Sequence, residues 1–178
     1  LEHDATYMRK IREKVDELSD RHINKAFYRE LELERIFLQP SYTLPNSITP
    51  KQNAPHIPKS LYQHEENIGP FEQTMINTIA NLDNVVWWHK NPSRKGFCIN
   101  GSRNHYPDFI IQMESGKVVL LEAKGDDRDN SDSAAKLKLG KAWEKAAGRE
   151  FRYMMVFNNN AIDDAQNLAD AMKLLEGF

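Results

Sequence analysis

Two carboxylates and a lysine stand out in the sequence because they occur at the ends of two neighbouring apolar runs. Asp108 opens the first run, and Glu122 and Lys124 close the second. Glu122 and Lys124 are two residues apart, so on a strand their side chains point to the same face. Carboxylate oxygens are the ligands that Mg²⁺ prefers, and a lysine ammonium is a compact cation that can contact a phosphate. The trio therefore suits metal-assisted phosphodiester hydrolysis, with Asp108 and Glu122 as metal ligands.

Whether Asp108 joins the other two residues depends on the turn between the runs. A two- or four-residue loop centred on Ser115 and Gly116 places Asp108 opposite Ala123, on the wrong face. A three-residue loop ending at Gly116 shifts the register by one residue, so that Asp108 faces Glu122. Such loops commonly end in a left-handed residue, and glycine adopts that conformation without strain. The turn chemistry therefore predicts that the three side chains converge.

Hydrophobic periodicity predicts the elements that position this trio. Helices are predicted over 71–82, 133–147 and 163–175, and strands over 85–89, 106–113, 117–124 and 151–157. The first three strands can pair as an antiparallel meander, whereas the third and fourth are joined through a helix and should be parallel. We therefore predict an α/β fold in which a mixed central sheet is flanked by helices, in the order helix, strand, strand, strand, helix, strand.

The regions ahead of this pattern differ in composition. Residues 1–38 are highly charged with apolar residues at helical intervals, which predicts an N-terminal arm of one or two amphipathic helices. Residues 39–68 contain prolines at short intervals, which forbid a regular helix and predict an extended linker with an anchored end near 57–62. Residues 69–178 are then the catalytic domain.

Composition narrows the classes of protein to which the chain can belong. The 178 residues are 40% hydrophobic and 28% charged, which is typical of a globular chain, and no run is long enough to span a membrane. A single cysteine, Cys98, and the lack of a signal pattern predict a cytoplasmic location. The net charge of −2 is unusual for a protein that holds DNA alone, because neutralising phosphates supplies most non-specific affinity. Either the chain does not bind DNA, or another part of a larger protein holds it.

The motifs resemble the PD-(D/E)xK nuclease superfamily, through Pro107-Asp108 and Glu122-Ala123-Lys124. Further motifs make residues 57–178 similar to the C-terminal endonuclease domain of the restriction subunit of type III restriction enzymes. These motifs are Phe71-Glu72, Trp87-Trp88-His89-Lys90-Asn91, Tyr106-Pro107-Asp108-Phe109-Ile110, Glu122-Ala123-Lys124-Gly125 and Lys136-Leu137-Lys138-Leu139-Gly140-Lys141-Ala142-Trp143.

This resemblance implies a Mg²⁺-dependent endonuclease acting on duplex DNA, with Glu72 completing the catalytic set of Asp108, Glu122 and Lys124. It also implies an ATP-driven helicase or translocase region in the same parent chain, and a methyltransferase subunit as partner. The chain has no phosphate-binding loop of its own, because Ser102 and Arg103 stand where such a loop needs a lysine. We therefore expect ATP only for a motor region that this sequence lacks.

Two alternatives remain open from the sequence. The domain could be another PD-(D/E)xK nuclease, in repair or junction resolution, or a non-catalytic DNA-binding or docking module on a nuclease fold. The complete trio argues against the second alternative, because a decayed site usually loses a charge. Lys141 could reach DNA and His105 could be a general base, although a solvated helix face and a loop histidine explain them as well.

Overall fold

The computed structural model describes residues 2–35, 37–38, 42–125, 130–159 and 162–178. The chain forms two compact units, Leu1–Phe37 with Gly101–Arg103, and Leu38–Asn100 with Asn104–Phe178. The second unit therefore begins at Leu38 rather than at residue 69, where the sequence predicts the start of the catalytic domain.

The first unit consists mainly of one helix, α1 (Glu2–Glu32). The helix runs without interruption because these 31 residues include no glycine or proline, and ion pairs between Lys14, Glu17 and Arg21 lie along its surface. The N-terminal arm is thus a single helix, where the sequence allows one or two. Its apolar residues Ile11 and Val15 are both 54% exposed. No helix among the described residues is long and apolar enough to cross a membrane.

The second unit is built on one five-stranded sheet. Its strands follow the order β1 (Val85–Lys90), β2 (Phe109–Met113), β3 (Val118–Lys124), β4 (Phe151–Phe157) and β5 (Gln166–Asn167). β1, β2 and β3 pair antiparallel, and β3 and β4 pair parallel, which confirms the predicted meander and crossover. β5 adds a parallel edge beside β4 that the sequence does not predict, because two residues are too few for a periodic pattern.

Helices cover both faces of the sheet, as the sequence predicts. α2 (Pro70–Ala80) and α4 (Leu168–Glu176) pack with the sheet in the main hydrophobic core, to which they contribute Ile76 and Leu175. α3 (Asn130–Ala147) covers the other face, where Trp143 contacts the edge of Phe151. α4 begins five residues after its predicted start at 163, because Asn167 caps the helix by accepting from the Asp170 N–H at 2.9 Å.

The described part of the proline-rich segment, residues 42–68, belongs to the second unit. The backbone of Leu61 donates to the Trp88 carbonyl at 2.8 Å, and the Trp88 N–H donates to the Lys59 carbonyl at 2.9 Å. Ile57 and Ile68 are buried in the core beneath the sheet. The anchored end predicted near 57–62 is therefore present, but the anchoring extends through residue 68. Proline prevents a helix here without preventing packing, because backbone hydrogen bonds to a strand edge need only extended geometry.

Candidate active site

The hairpin between β2 and β3 sets the positions of the two predicted metal ligands. Phe109 pairs with Leu121, and this register brings Asp108 opposite Glu122. Gly116 closes the three-residue turn with a φ of 86°, a conformation that side chains other than glycine rarely adopt. The predicted loop length, glycine conformation and register are therefore confirmed.

All four predicted catalytic residues line one cavity of about 460 Å³ beside the carboxyl end of β3. Glu72 reaches it from the first turn of α2, Asp108 from the residue before β2, and Glu122 and Lys124 from β3. Two further lysines line the same cavity, Lys90 at the end of β1 and Lys136 on α3.

Lys90 joins two of the carboxylates. Its Nζ lies 3.0 Å from Glu72 Oε1 and 3.0 Å from Asp108 Oδ1, and its side chain is only 12% exposed. Burial acts to lower the pKa of Lys90, but the charges of Asp108 and Glu72 outweigh it and raise this pKa above its ordinary value. Lys90 is therefore a permanent cation that holds the two carboxylates together.

Asp108 is an ionised carboxylate with both oxygens engaged. Oδ2 accepts the Ala123 N–H at 2.9 Å, while Oδ1 receives the Lys90 ammonium. Burial alone would raise the pKa of Asp108, but Lys90 and the Ala123 N–H stabilise the charged form and bring the pKa below its ordinary value. The backbone bond to β3 also fixes Asp108 beside Glu122.

Glu122 has the opposite protonation behaviour. Its side chain is 6% exposed, with Oε1 lying 2.7 Å from Lys124 Nζ and 3.9 Å from Lys136 Nζ. Burial and the nearby charge of Asp108 raise the pKa of Glu122 to about 7, in spite of the two ammonium groups. A carboxyl group with this pKa can exchange a proton near neutral pH, which is the property that general acid–base catalysis requires.

Glu72 has a local role in addition to its place in the cavity. Its Oε2 accepts the Gly69 N–H at 3.0 Å, which satisfies a backbone donor at the start of α2. Its other oxygen, Oε1, meets Lys90. A role at the helix end and a role in the site are therefore both consistent with the contacts of Glu72.

The other sequence candidates lie outside the cavity lining. His105 is buried and hydrogen-bonds Tyr153 Oη at 2.8 Å; burial and the charges of Lys136 and Lys124 lower its pKa to about 3. A histidine held neutral in this way takes no proton at ordinary pH. Lys141 donates to the Tyr153 carbonyl at 3.0 Å, which ties α3 to β4, and to Glu144 on its own helix.

Lys90 and Lys136 belong to the cavity although sequence reasoning assigned them no role. Both stand inside the motifs that carry the family resemblance, yet neither has a spacing that links it to Asp108 or Glu122. Lys136 pairs with Asp132 one helical turn away at 2.9 Å, a spacing that is common on any solvated helix. Only the packing of α3 and β1 around the sheet end shows that the two lysines face the carboxylates.

The donor set fits a divalent cation. Among the described residues, no group of three or more histidine, cysteine, aspartate or glutamate side chains is arranged as a complete metal site. Asp108 and Glu122 nevertheless supply hard carboxylate oxygens beside one cavity, and burial and the charge of Asp108 raise the pKa of Glu122, an effect that a bound cation would oppose. Mg²⁺ commonly binds through one or two carboxylates and keeps several waters, so two carboxylates meet its needs.

Comparisons with known proteins do not identify a relative of this chain. A scan against protein-family models and searches of curated proteins and of solved structures find nothing that matches this chain.

Proposed function

We propose that the second unit is a Mg²⁺-dependent endonuclease domain that hydrolyses phosphodiester bonds of duplex DNA. The observation that carries this proposal is the convergence of Asp108, Glu122 and Lys124, with Glu72, on one cavity at the end of the sheet. A central sheet with this strand order is also what the resemblance to PD-(D/E)xK nucleases implies.

Asp108 and Glu122 would hold the metal ion. A bound Mg²⁺ supplies positive charge that polarises the scissile phosphate. The carboxylates are prepared for this role, because the Ala123 N–H fixes Asp108 and the strand fixes Glu122 beside it. Preorganised ligands bind more tightly because no side-chain freedom is lost at the moment of binding.

Lys124 and Lys90 supply positive charge to the proposed site. Lys124 lies 2.7 Å from Glu122, where its ammonium can hold an attacking water in line and contact a phosphate oxygen. In the metal-free site, burial and the charge of Asp108 raise the pKa of Glu122 to about 7, and a bound cation would favour the carboxylate form that serves as its ligand. Lys90 is a positioning residue that keeps Glu72 and Asp108 in place.

The wider context is also part of the proposal. Within the superfamily, the motifs favour the nuclease region of a type III restriction subunit, which works with an ATP-driven motor in the same chain and a methyltransferase subunit. The net charge of −2 agrees with a domain whose DNA is held largely by other regions. Another nuclease of this fold, in repair or junction resolution, would use the same site chemistry.

The alternative from a different class is a non-catalytic DNA-binding or docking module. The observation that favours it is that the carboxylates are already paired with ammonium groups, Asp108 and Glu72 with Lys90, and Glu122 with Lys124. A module of this kind would neither require Mg²⁺ nor cut DNA, so a single assay separates the two functions.

Nicking of supercoiled plasmid DNA tests the proposal. We expect open circles to form with millimolar Mg²⁺ and not with EDTA, and the rate to fall at least about 100-fold in Lys124→Ala. The matched control is Lys145→Ala, which removes an exposed lysine near the far end of α3 and should cut like the parent. Cleavage that persists in Lys124→Ala, or a parent that never cuts, would overturn the assignment.

A further inference from the structure

The cavity cannot attract a polyanion by its own charge. Its lining carries three acidic and three basic side chains, which balance when all are ionised: Glu72, Asp108, Glu122, Lys90, Lys124 and Lys136. Each strand of DNA carries one negative charge per nucleotide, and binding it depends on cations that are not already neutralised. If DNA is the substrate, further basic groups should stand near the mouth of the cavity.

Such groups are present on the tight loop formed by residues 92–96, here called the 92–96 loop. Ser93 of this loop lines the cavity, and the next two residues, Arg94 and Lys95, are exposed. Arg94 is also close enough to Tyr106, another lining residue, for its charge to act on that phenol. Within the described ranges, no carboxylate forms an ion pair with Arg94 or Lys95.

The loop is held rigidly from beneath by one buried side chain. Asn91 is 2% exposed; its Nδ2 donates to the carbonyls of Phe97 at 2.9 Å and Pro107 at 2.8 Å, and its Oδ1 accepts the Phe97 N–H at 2.7 Å. Two of these hydrogen bonds join Asn91 to Phe97 and so hold the two ends of the loop together. The Pro107 contact ties the loop to the residue before Asp108.

The backbone of the loop is also specialised. A Cβ at Gly96 would overlap Asn91 Oδ1 and lie 2.8 Å from Pro92 Cδ, so only glycine allows this close approach. Arg94 has a φ of 64°, a left-handed conformation that is unfavourable for a residue with a side chain. A strained arginine in a rigid, exposed loop is consistent with a side chain retained for binding.

We propose that the 92–96 loop is a phosphate-binding element that holds the DNA backbone beside the bond to be cut, with Arg94 and Lys95 as its cations. This inference rests on the proposed function, because it takes DNA as the ligand of the adjacent cavity. Because the loop backbone is already held in place, binding DNA costs little backbone entropy there. The two cations can therefore contribute more to the affinity.

Binding of the full 178-residue chain to a fluorescent duplex oligonucleotide, measured by anisotropy in EDTA over a range of salt concentrations, tests the loop without requiring cleavage. The double variant Arg94→Gln/Lys95→Gln should bind about tenfold or more weakly at low salt. Its slope of log affinity against log salt should be shallower by about 2, or roughly 0.9 for each phosphate that the variant no longer neutralises. The control Lys145→Gln/Arg149→Gln removes the same charge from exposed positions around the end of α3 and should change neither quantity as much.

Two single variants separate a binding role from a structural one. Arg94→Gly removes the cation and relieves the left-handed strain, so it should weaken binding while raising the melting temperature. Gly96→Ala keeps both cations but forces the loop away from Asn91, so it should also weaken binding. If only the two charges mattered, this variant would bind DNA like the parent. Circular dichroism below the melting temperature shows that each variant is folded.

The outcomes distinguish this inference from the proposed function. If the loop variants bind DNA like the control while Lys124→Ala loses cleavage, the loop inference fails and the nuclease stands. If the loop variants lose binding but the parent never cuts, the loop stands and the nuclease fails. A parent chain without salt-dependent binding at low salt overturns the loop inference directly.

Discussion

His89 and Lys90 are adjacent on β1, yet they belong to two differently built polar clusters. His89 Nδ1 lies 2.8 Å from Glu65 Oε2, and that carboxylate also accepts the backbone N–H groups of Lys90 at 3.1 Å and Tyr62 at 3.3 Å. Lys90 instead directs its ammonium to Glu72 and Asp108, whose other neighbours line an open cavity. The first cluster joins backbone segments, and the second joins ionic side chains.

The difference shows that buried charge alone does not identify a functional site. Glu65 is satisfied mainly by N–H groups that cannot leave, so its role is to hold residues 62–65 against the sheet. Glu122 and Asp108 are paired with ammonium groups of side chains that line a cavity, where a substrate or ion can compete for the carboxylates. Removing Glu65 should therefore lower stability with little effect on cleavage, whereas removing Glu122 should lower cleavage with little effect on stability.

The largest expected effect is on cleavage by Glu122→Ala. Removing a metal ligand should slow Mg²⁺-dependent cleavage by at least about 10³-fold, equivalent to roughly 4 kcal/mol. Because burial and the charge of Asp108 both disfavour an ionised Glu122, the variant should melt at the same temperature as the parent, or slightly higher, in EDTA. Millimolar Mg²⁺ should raise the melting temperature of the parent more than that of the variant.

Glu114→Ala, at the exposed turn before Gly116, is the matched control for this experiment and should keep both activity and the Mg²⁺ response. If Glu122→Ala melts well below the parent in EDTA and Mg²⁺ shifts neither protein, Glu122 is structural and the comparison with Glu65 fails.

Glu65→Ala should have the largest effect on stability. The change leaves His89 and the N–H groups of Tyr62 and Lys90 without their acceptor, at a cost of about 3 kcal/mol. Urea denaturation measures the free energy of unfolding, with the neighbouring Glu66→Ala as control. Cleavage per folded molecule should stay close to that of the parent; a loss as deep as that of Glu122→Ala would place Glu65 in the active site.

The pH dependence of stability should separate the parent from Glu122→Gln. The folded state keeps the Glu122 proton up to pH 7 or so, whereas an unfolded glutamate loses it near 4.5. The raised pKa therefore stabilises the parent most below pH 4.5, and this contribution is lost as the pH rises through 7. Relative to Glu122→Gln, the parent should lose on the order of 3 kcal/mol between pH 4 and pH 8.5 in metal-free buffer. Parallel stability curves for the two proteins would show that folding leaves the pKa of Glu122 unchanged.

Lys90→Met should produce the smallest of these changes. It leaves Asp108 and Glu72 without their shared cation and should lower the free energy of unfolding by about 1–2 kcal/mol at pH 8 without metal. Chemical denaturation with and without Mg²⁺ measures it: we expect added metal to recover part of the loss, and Lys90→Arg to behave more like the parent. An equal loss on replacing Lys90 in the background Glu72→Gln/Asp108→Asn, where the two negative charges are absent, would mean that Lys90 acts through packing instead.

Local patterns in the sequence were sufficient for much of the fold and for the main acidic pair. Short apolar runs located β1 to β4, and Gly116 specified the turn that brings Asp108 opposite Glu122. These features depend on residues close together in the chain, where steric rules allow few alternatives.

The packing of the proline-rich segment and the places of Lys90 and Lys136 in the cavity depend on contacts between distant parts of the chain, which local patterns do not predict. Nothing in the composition of residues 42–68 shows that Leu61 pairs with Trp88, because that hydrogen bond joins segments far apart in sequence. Lys90 and Lys136 are ordinary lysines at a strand end and on a helix until the sheet is assembled.

By itself, the sequence determined the α/β class, the meander and crossover, and the pairing of Asp108 with Glu122, since each follows from short-range geometry. The family resemblance implied Glu72 as a further member, but only the tertiary structure decided that Lys90 and Lys136 meet these carboxylates around one cavity. The tertiary structure also decided that the charge of Glu122 is opposed while that of Asp108 is stabilised. The reason is that desolvation and ion pairing depend on which elements pack together, a property that no local pattern encodes.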